Sequence, residues 1–94
     1  MSKNTQSTDE QFNKAAQDVK NLKSRPTDGE LLEIYALFKQ GTVGDCNTTR
    51  PGILDLKGKS KWDAWNGKKG MSQNEAKLAY IARVKQLIDT YGMK

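Results

Sequence analysis

Three places in the chain carry the same local instruction, and it is an instruction for helix. Thr8 with Gln11, Thr27 with Glu30 and Ser72 with Glu75 each set a hydroxyl three residues ahead of a Glu or Gln. At that spacing the hydroxyl accepts from the backbone N–H three residues on, and the longer side chain reaches back to the first backbone N–H, so two donors that a helix end leaves unpaired are satisfied together. Each pair precedes an apolar stripe. Phe12, Ala15, Ala16, Val19 and Leu22 follow the first, and Leu31, Leu32, Ile34, Tyr35, Leu37 and Phe38 follow the second. Leu78, Tyr80, Ile81, Val84, Leu87, Ile88 and Tyr91 follow the third. Steps of three and four put such residues on one face of a 3.6-residue helix.

The stops are as legible as the starts. "SRP" interrupts the first stripe because the residue before Pro26 is pushed out of helical geometry. Gly41 and Gly44 are expected to close the second helix, and Gly92 the last. Between them "VGDCNTTRPG" is turn chemistry, and Ser60 to Asn66, with Trp62 and Trp65 three apart, reads as a short helix with one aromatic face. No alternating apolar and polar run is long enough for a strand. The expected architecture is all-α, with four helices and a long loop before the third. Residues 1–8 are short and polar and are expected to be a disordered extension, leaving 9–94 as one domain.

Composition narrows the function. The chain has no histidine, which removes the commonest general base near neutral pH and the commonest metal ligand. Its single Cys46 has no partner for an internal disulfide and no constellation to activate a thiol, so it reads as a tolerated loop residue in a reducing compartment. Without clustered carboxylates either, no enzymatic mechanism, metal site or cofactor is expected; Asp55 and Asp63 are expected to balance nearby lysines. No apolar run approaches the roughly 20 residues that span a bilayer, and "MSKNTQSTDEQ" lacks the apolar stretch of a secretory signal, so a cytoplasmic protein is expected.

A net charge of +5 favours an anionic partner. Lys57, Lys59, Lys61, Lys68 and Lys69 fall within thirteen positions, and Lys57 and Lys61 share a face if the third helix extends back that far. Lysines so placed suit phosphate, although such runs also simply solvate a helix. Tyr35 and Lys39 lie one turn apart beside Phe38, presenting a ring for a base and a cation for a phosphate. Tyr80 and Lys20 add a phenol and a cation at the edges of their stripes; for Tyr80 a core role and a ligand role are equally open, while Lys20 reads first as a solvated surface lysine. At least one tryptophan is expected in the core.

These residues resemble a known family. "YALFKQGTVGDCNTTRPGILDLKGKSKWDAWN" is similar to the signature of the acyl-CoA-binding protein family, approximately Y-x-x-[YF]-K-Q-x-x-x-G-D, then N-x-x-[RK]-P-G, then D-x-x-[GA]-x-[AS]-K-W-x-A-W. "FNKAAQDVKNL" and "AKLAYIARVKQLIDTYG" look like its first and fourth helices, so the resemblance runs from Phe12 to Gly92. It implies a four-helix bundle of up-down-down-up arrangement and non-catalytic binding of medium- to long-chain acyl-CoA esters, as an intracellular carrier and buffer. It implies a monomer whose partner is fatty acyl-CoA, with no nucleic acid and at most transient contact with a membrane surface.

Carried over by position, the resemblance places Tyr35 and Lys39 at the adenine and the ribose 3'-phosphate, Lys61 completing the phosphate clamp, and Tyr80 at the nucleotide. Lys20 and Lys57 border the CoA head group, and Phe38 lies beside it. Phe12, Ala16, Leu31 and Leu32 look like the acyl-chain groove, while Val19, Leu22, Ile34, Val84 and Leu87 look like helix-packing positions. Three positions depart from the family pattern. Phe38 stands where many relatives have tyrosine, Gly41 where alanine is usual, and "NGKKGM" replaces a longer third helix. Two rival readings use the same lysines. Nucleic-acid binding has only Arg25, Arg50 and Arg83 for bidentate recognition, and anionic-lipid binding requires vesicle association without acyl-CoA.

Overall fold

The computed structural model describes residues 7–94. Its elements are α1 (Thr8–Asp18), continued by a 3-10 turn at Val19–Asn21, α2 (Asp28–Thr42), α3 (Leu56–Asn66) and α4 (Gln73–Tyr91). The described chain is all-α, as expected. Residues 1–6 of the expected disordered extension lie outside the described residues, while Ser7 and Thr8 belong to the first helix.

The capping boxes of α2 and α4 form as expected, with Thr27 and Glu30, and Ser72 and Glu75, exchanging hydrogen bonds. The first box is shifted by one residue: Ser7 and Glu10 make it, not Thr8 and Gln11. The carboxylate of Glu10 is a stronger acceptor for the cap N–H than the neutral amide of Gln11, and that selects the register.

Gly41 does not close α2. The helix runs through it and stops before Gly44, whose φ of +99° lies in the region that favours glycine. Gly41 is buried where α2 approaches α4, and an added Cβ would meet Lys77 Cγ at 3.1 Å and a ring carbon of Phe12 at 3.5 Å. α3 begins earlier than Ser60, because the Asp55 side chain caps it by accepting from the Gly58 N–H at 2.9 Å. A Cβ on Gly58 would lie 2.3 Å from that carboxylate, so only glycine permits the cap. The earlier start puts Lys57 and Lys61 on one helical face.

Side-chain pairs give the helix directions. Lys77 near the start of α4 pairs with Asp9 near the start of α1, and Leu22 after α1 bridges Met93 after α4, so these helices run parallel. Tyr91 at the end of α4 bonds Glu30 at the start of α2, and Gln40 near the end of α2 bonds the Met71 carbonyl before α4, so that pair is antiparallel. Lys61 covers Tyr35 and Lys39 covers Trp65, so α2 and α3 run parallel. The arrangement is up-down-down-up. Parallel neighbours cannot be joined by a tight turn, which is why residues 43–55 form a long connection.

The core joins Phe12 and Ala15 of α1, Ile34 and Leu37 of α2, and Tyr80, Ile81, Val84 and Leu87 of α4, with Leu22. Leu78 is not part of it. It is 49% exposed, and Ala76 is buried instead, because two residues of helix rotate a side chain by about 200° to the opposite face. Gln40 is fully buried, and its amide nitrogen donates to Asp45 and to the Met71 carbonyl at 2.8 and 2.7 Å. One side chain thereby pins the end of α2 to the loops on either side of α3.

Candidate functional site

Two cavities meet at α2. The larger, about 480 Å³, opens between α2 and α3 and is lined by Leu31, Leu32, Tyr35, Leu56, Lys57 and Lys61, with Arg25, Asp28 and Ser60. The smaller, about 270 Å³, lies where α1, α2 and α4 meet and is lined by Ala16, Val19, Lys20, Leu31, Ile34, Tyr35, Phe38 and Tyr80. Leu31 and Tyr35 line both. They lie four apart and share a helical face, so one stripe of α2 forms a common wall.

The parallel packing of α2 against α3 arranges the cations. Lys61 Nζ stands 5.4 Å from the Tyr35 ring centroid, and Lys39 Nζ 4.8 Å from that of Trp65. Trp65 is 4% exposed, and its indole N–H donates to the Gly44 carbonyl at 2.8 Å. Trp62 is half-buried, its N–H donating to the Thr48 carbonyl at 2.9 Å. The two tryptophans thus hold the long loop against α3, consistent with the core role expected of at least one of them.

The acids balance the lysines only in part: Lys59 helps to hold the Asp63 carboxyl down, but Arg50 does most of it. Asp63 makes a two-pronged ion pair with Arg50, both bonds 2.9 Å, and the guanidinium holds its carboxyl below the usual range. Asp55 is engaged in capping α3. Among the described residues none of Lys57, Lys59 and Lys61 has a salt-bridge partner; Lys57 and Lys61 share the face that lines the larger cavity, and Lys59 lies about 200° of helix away from both. Lys68 is different, pairing with Glu33 at 3.0 Å.

Phe38 and Tyr80, which line the smaller cavity, belong to an aromatic cluster with Phe12. Phe12 stacks on Phe38 with centroids 5.4 Å apart, and Tyr80 is tilted against both at 5.0 and 5.8 Å. Burial pushes the Tyr80 phenol up to about 12, so it is a neutral hydroxyl at physiological pH.

Of the expected site residues, Leu31, Leu32, Tyr35, Lys57 and Lys61 come together at the larger cavity, and Lys20, Ala16, Phe38 and Tyr80 at the smaller. Phe12 lines neither cavity. It is 3% exposed beneath Phe38 and Tyr80, so it supports the wall from within the core. Lys39 also lies outside both, one turn beyond Tyr35 and over Trp65. Val19 and Ile34, expected only as packing residues, line the smaller cavity, and Arg25, Asp28, Leu56 and Ser60 join the lining of the larger unexpectedly. The spacing of Leu56 and Ser60 is a helical signal, but it becomes readable only once Asp55 is recognised as a cap.

The fold and site together define a small helical domain with an apolar cleft edged by lysines. The chain belongs to the acyl-CoA-binding protein family. The family model described as "Acyl CoA binding protein" matches residues 9–84. A protein from a species of Hypsibius, named "Putative acyl-CoA-binding protein", is 54% identical over 87 residues, which covers 93% of this chain and 98% of that protein. The crystal structure of Oryza sativa Acyl-CoA-Binding Protein 2 aligns with a TM-score of 0.85 at 42% identity, covering 88% of this chain and 90% of that one. That of the protein from Moniliophthora perniciosa aligns at 0.82 and 37%, covering 92% and 85%.

Proposed function

We propose that the protein binds medium- to long-chain acyl-CoA esters without chemical change, as a cytoplasmic monomer that carries and buffers them. The observation that carries this reading is the shared wall of Leu31 and Tyr35, with apolar cavities on both sides and, at the larger, Lys57 and Lys61, which have no salt-bridge partner among the described residues. Such a cleft suits one ligand that is apolar at one end and polyanionic at the other.

In this reading Tyr35 and Lys39 serve the adenine and 3'-phosphate, with Lys61 closing the clamp, and Tyr80 and Phe38 lie against the nucleotide. Lys20 and Lys57 border the head group. Ala16, Leu31 and Leu32 face the acyl chain, with Phe12 behind them. Each buried methylene contributes about 0.8 kcal/mol, which makes affinity rise with chain length. The absence of histidine from the sequence agrees with binding rather than catalysis.

Calorimetric titration with palmitoyl-CoA and with free palmitate tests the proposal. Tight binding of the thioester and weak binding of the acid are expected; equal affinity for the two sinks the role given to the lysines.

A further inference from the structure

We infer that Ser60 of α3 is a phosphorylation site whose modification switches off ligand binding in the larger cavity. The inference rests on the ligand proposed above, since it gives that ligand's site a regulator. Ser60 is the one serine or threonine in the lining of either cavity, and it is exposed. Lys57 and Lys61 share the same lining, and Arg25 joins them from the connection between α1 and α2. The three-residue step from Lys57 to Ser60 keeps the two on one side of the helix. A phosphate on Ser60 is therefore delivered among cations.

The same lysines select the enzyme and hold the product. Lys57, Lys59 and Lys61 stand three before, one before and one after Ser60, a basic flank that suits a protein kinase with an acidic substrate groove. A kinase takes its serine from extended backbone, so the helix has to open there. Among the described helices α3 packs on α2 alone, and the core of α1, α2 and α4 contains no residue of α3, so its first turns open without disturbing that core. In the transfer from ATP the Ser60 Oγ–phosphorus bond forms as the bond from the terminal phosphorus to its bridging oxygen breaks. ADP leaves, and the hydroxyl proton passes to a base of the kinase. Phosphoserine carries about −1.5 to −2 charge at pH 7 and three acceptor oxygens. Neither Lys57 nor Lys61 has a salt-bridge partner among the described residues. Arg25 is tied only to Asp28, in a surface pair whose side chains are 70% and 86% exposed, which is weak enough to exchange. The new dianion occupies the cations that a polyanionic ligand needs, and repels that ligand.

Treating the full chain with the catalytic subunit of cAMP-dependent protein kinase and ATP, and mapping the phosphate by tandem mass spectrometry, tests the inference. Phosphate is expected on Ser60. By calorimetry the phosphorylated chain should bind palmitoyl-CoA at least about 20-fold more weakly than the same sample after phosphatase treatment, with unchanged circular dichroism. Ser60→Glu, which carries a single negative charge, should bind about fivefold more weakly than the unmodified chain. Absence of phosphate from Ser60, or equal affinity before and after phosphatase, overturns the inference and leaves the proposed ligand standing. A loss of affinity that comes with a loss of helical signal also overturns it, since the phosphate then acts by unfolding α3. If the unmodified chain itself ignores palmitoyl-CoA, the proposed ligand falls and the switch with it.

Discussion

Lys39 Nζ rests 4.8 Å above the Trp65 ring, one helical turn beyond the point where Lys61 covers Tyr35 at 5.4 Å. The two contacts cross the α2–α3 interface in opposite senses, a cation from each helix meeting an aromatic ring from the other. Both lysines are held near one seam, and neither has a salt-bridge partner among the described residues.

Removing one of these cations should be felt by the ligand, not the fold. Lys39→Ala is expected to weaken palmitoyl-CoA binding by about 1.5 to 3 kcal/mol, roughly 10- to 150-fold, the worth of a hydrogen bond to a charged group. Lys68→Ala breaks a surface pair with Glu33 and should alter affinity less than about twofold, with a stability loss under about 1 kcal/mol. Calorimetry and urea unfolding of the two variants check both numbers.

Gly41 sits inside α2, where alanine would gain up to about 1 kcal/mol of helix propensity. Its Cβ would press on Lys77 Cγ at 3.1 Å, a flexible side chain that can yield, although its ammonium pairs with Asp9. Gly41→Ala is therefore expected to stabilise the protein by about half that gain. A higher urea midpoint with unchanged slope is the result to look for.

Glu30 ties the start of α2 to the end of α4, and its carboxyl is held below the ordinary value, first by the Tyr91 hydroxyl and then by the Thr27 N–H. A depressed acid stabilises the fold above its unfolded pKa, and that stabilisation is lost as pH falls through the folded value. Tyr91→Phe removes the largest cause, so the Glu30 titration midpoint, followed by carboxyl-carbon NMR, should move up toward the usual glutamate range. The thermal midpoint of the variant should then depend less on pH below about 4.3, the unfolded glutamate value.

Much of the fold was legible because its instructions are local. Thr27 with Glu30 and Ser72 with Glu75 act within one turn, and they form as the spacing implies. Where two local solutions lay side by side, as with Ser7–Glu10 and Thr8–Gln11, spacing alone did not separate a carboxylate from an amide. Leu78 looked like part of a stripe but fell on the wrong face, and Gly41 looked like a stop because its burial against α4 is not a property of its neighbours in sequence.

The candidate site divides in the same way. Tyr35 and Leu31 were readable as one face of one helix. That the same face walls two cavities, that Phe12 retreats beneath Phe38, and that Arg25 and Leu56 join the lining depends on three helices meeting.

By itself, then, the sequence determined four helices, the capping boxes of α2 and α4, most of the apolar stripes, an excess of lysine and the residue pattern of a family, since each rests on residues within a turn or two of one another. Tertiary structure alone decided that Lys61 meets Tyr35, that Lys39 meets Trp65 and that Ile53, Leu54 and Leu56 stay in water. Those outcomes follow from the parallel packing of α2 on α3, a relation between helices more than a dozen residues apart that no local periodicity encodes.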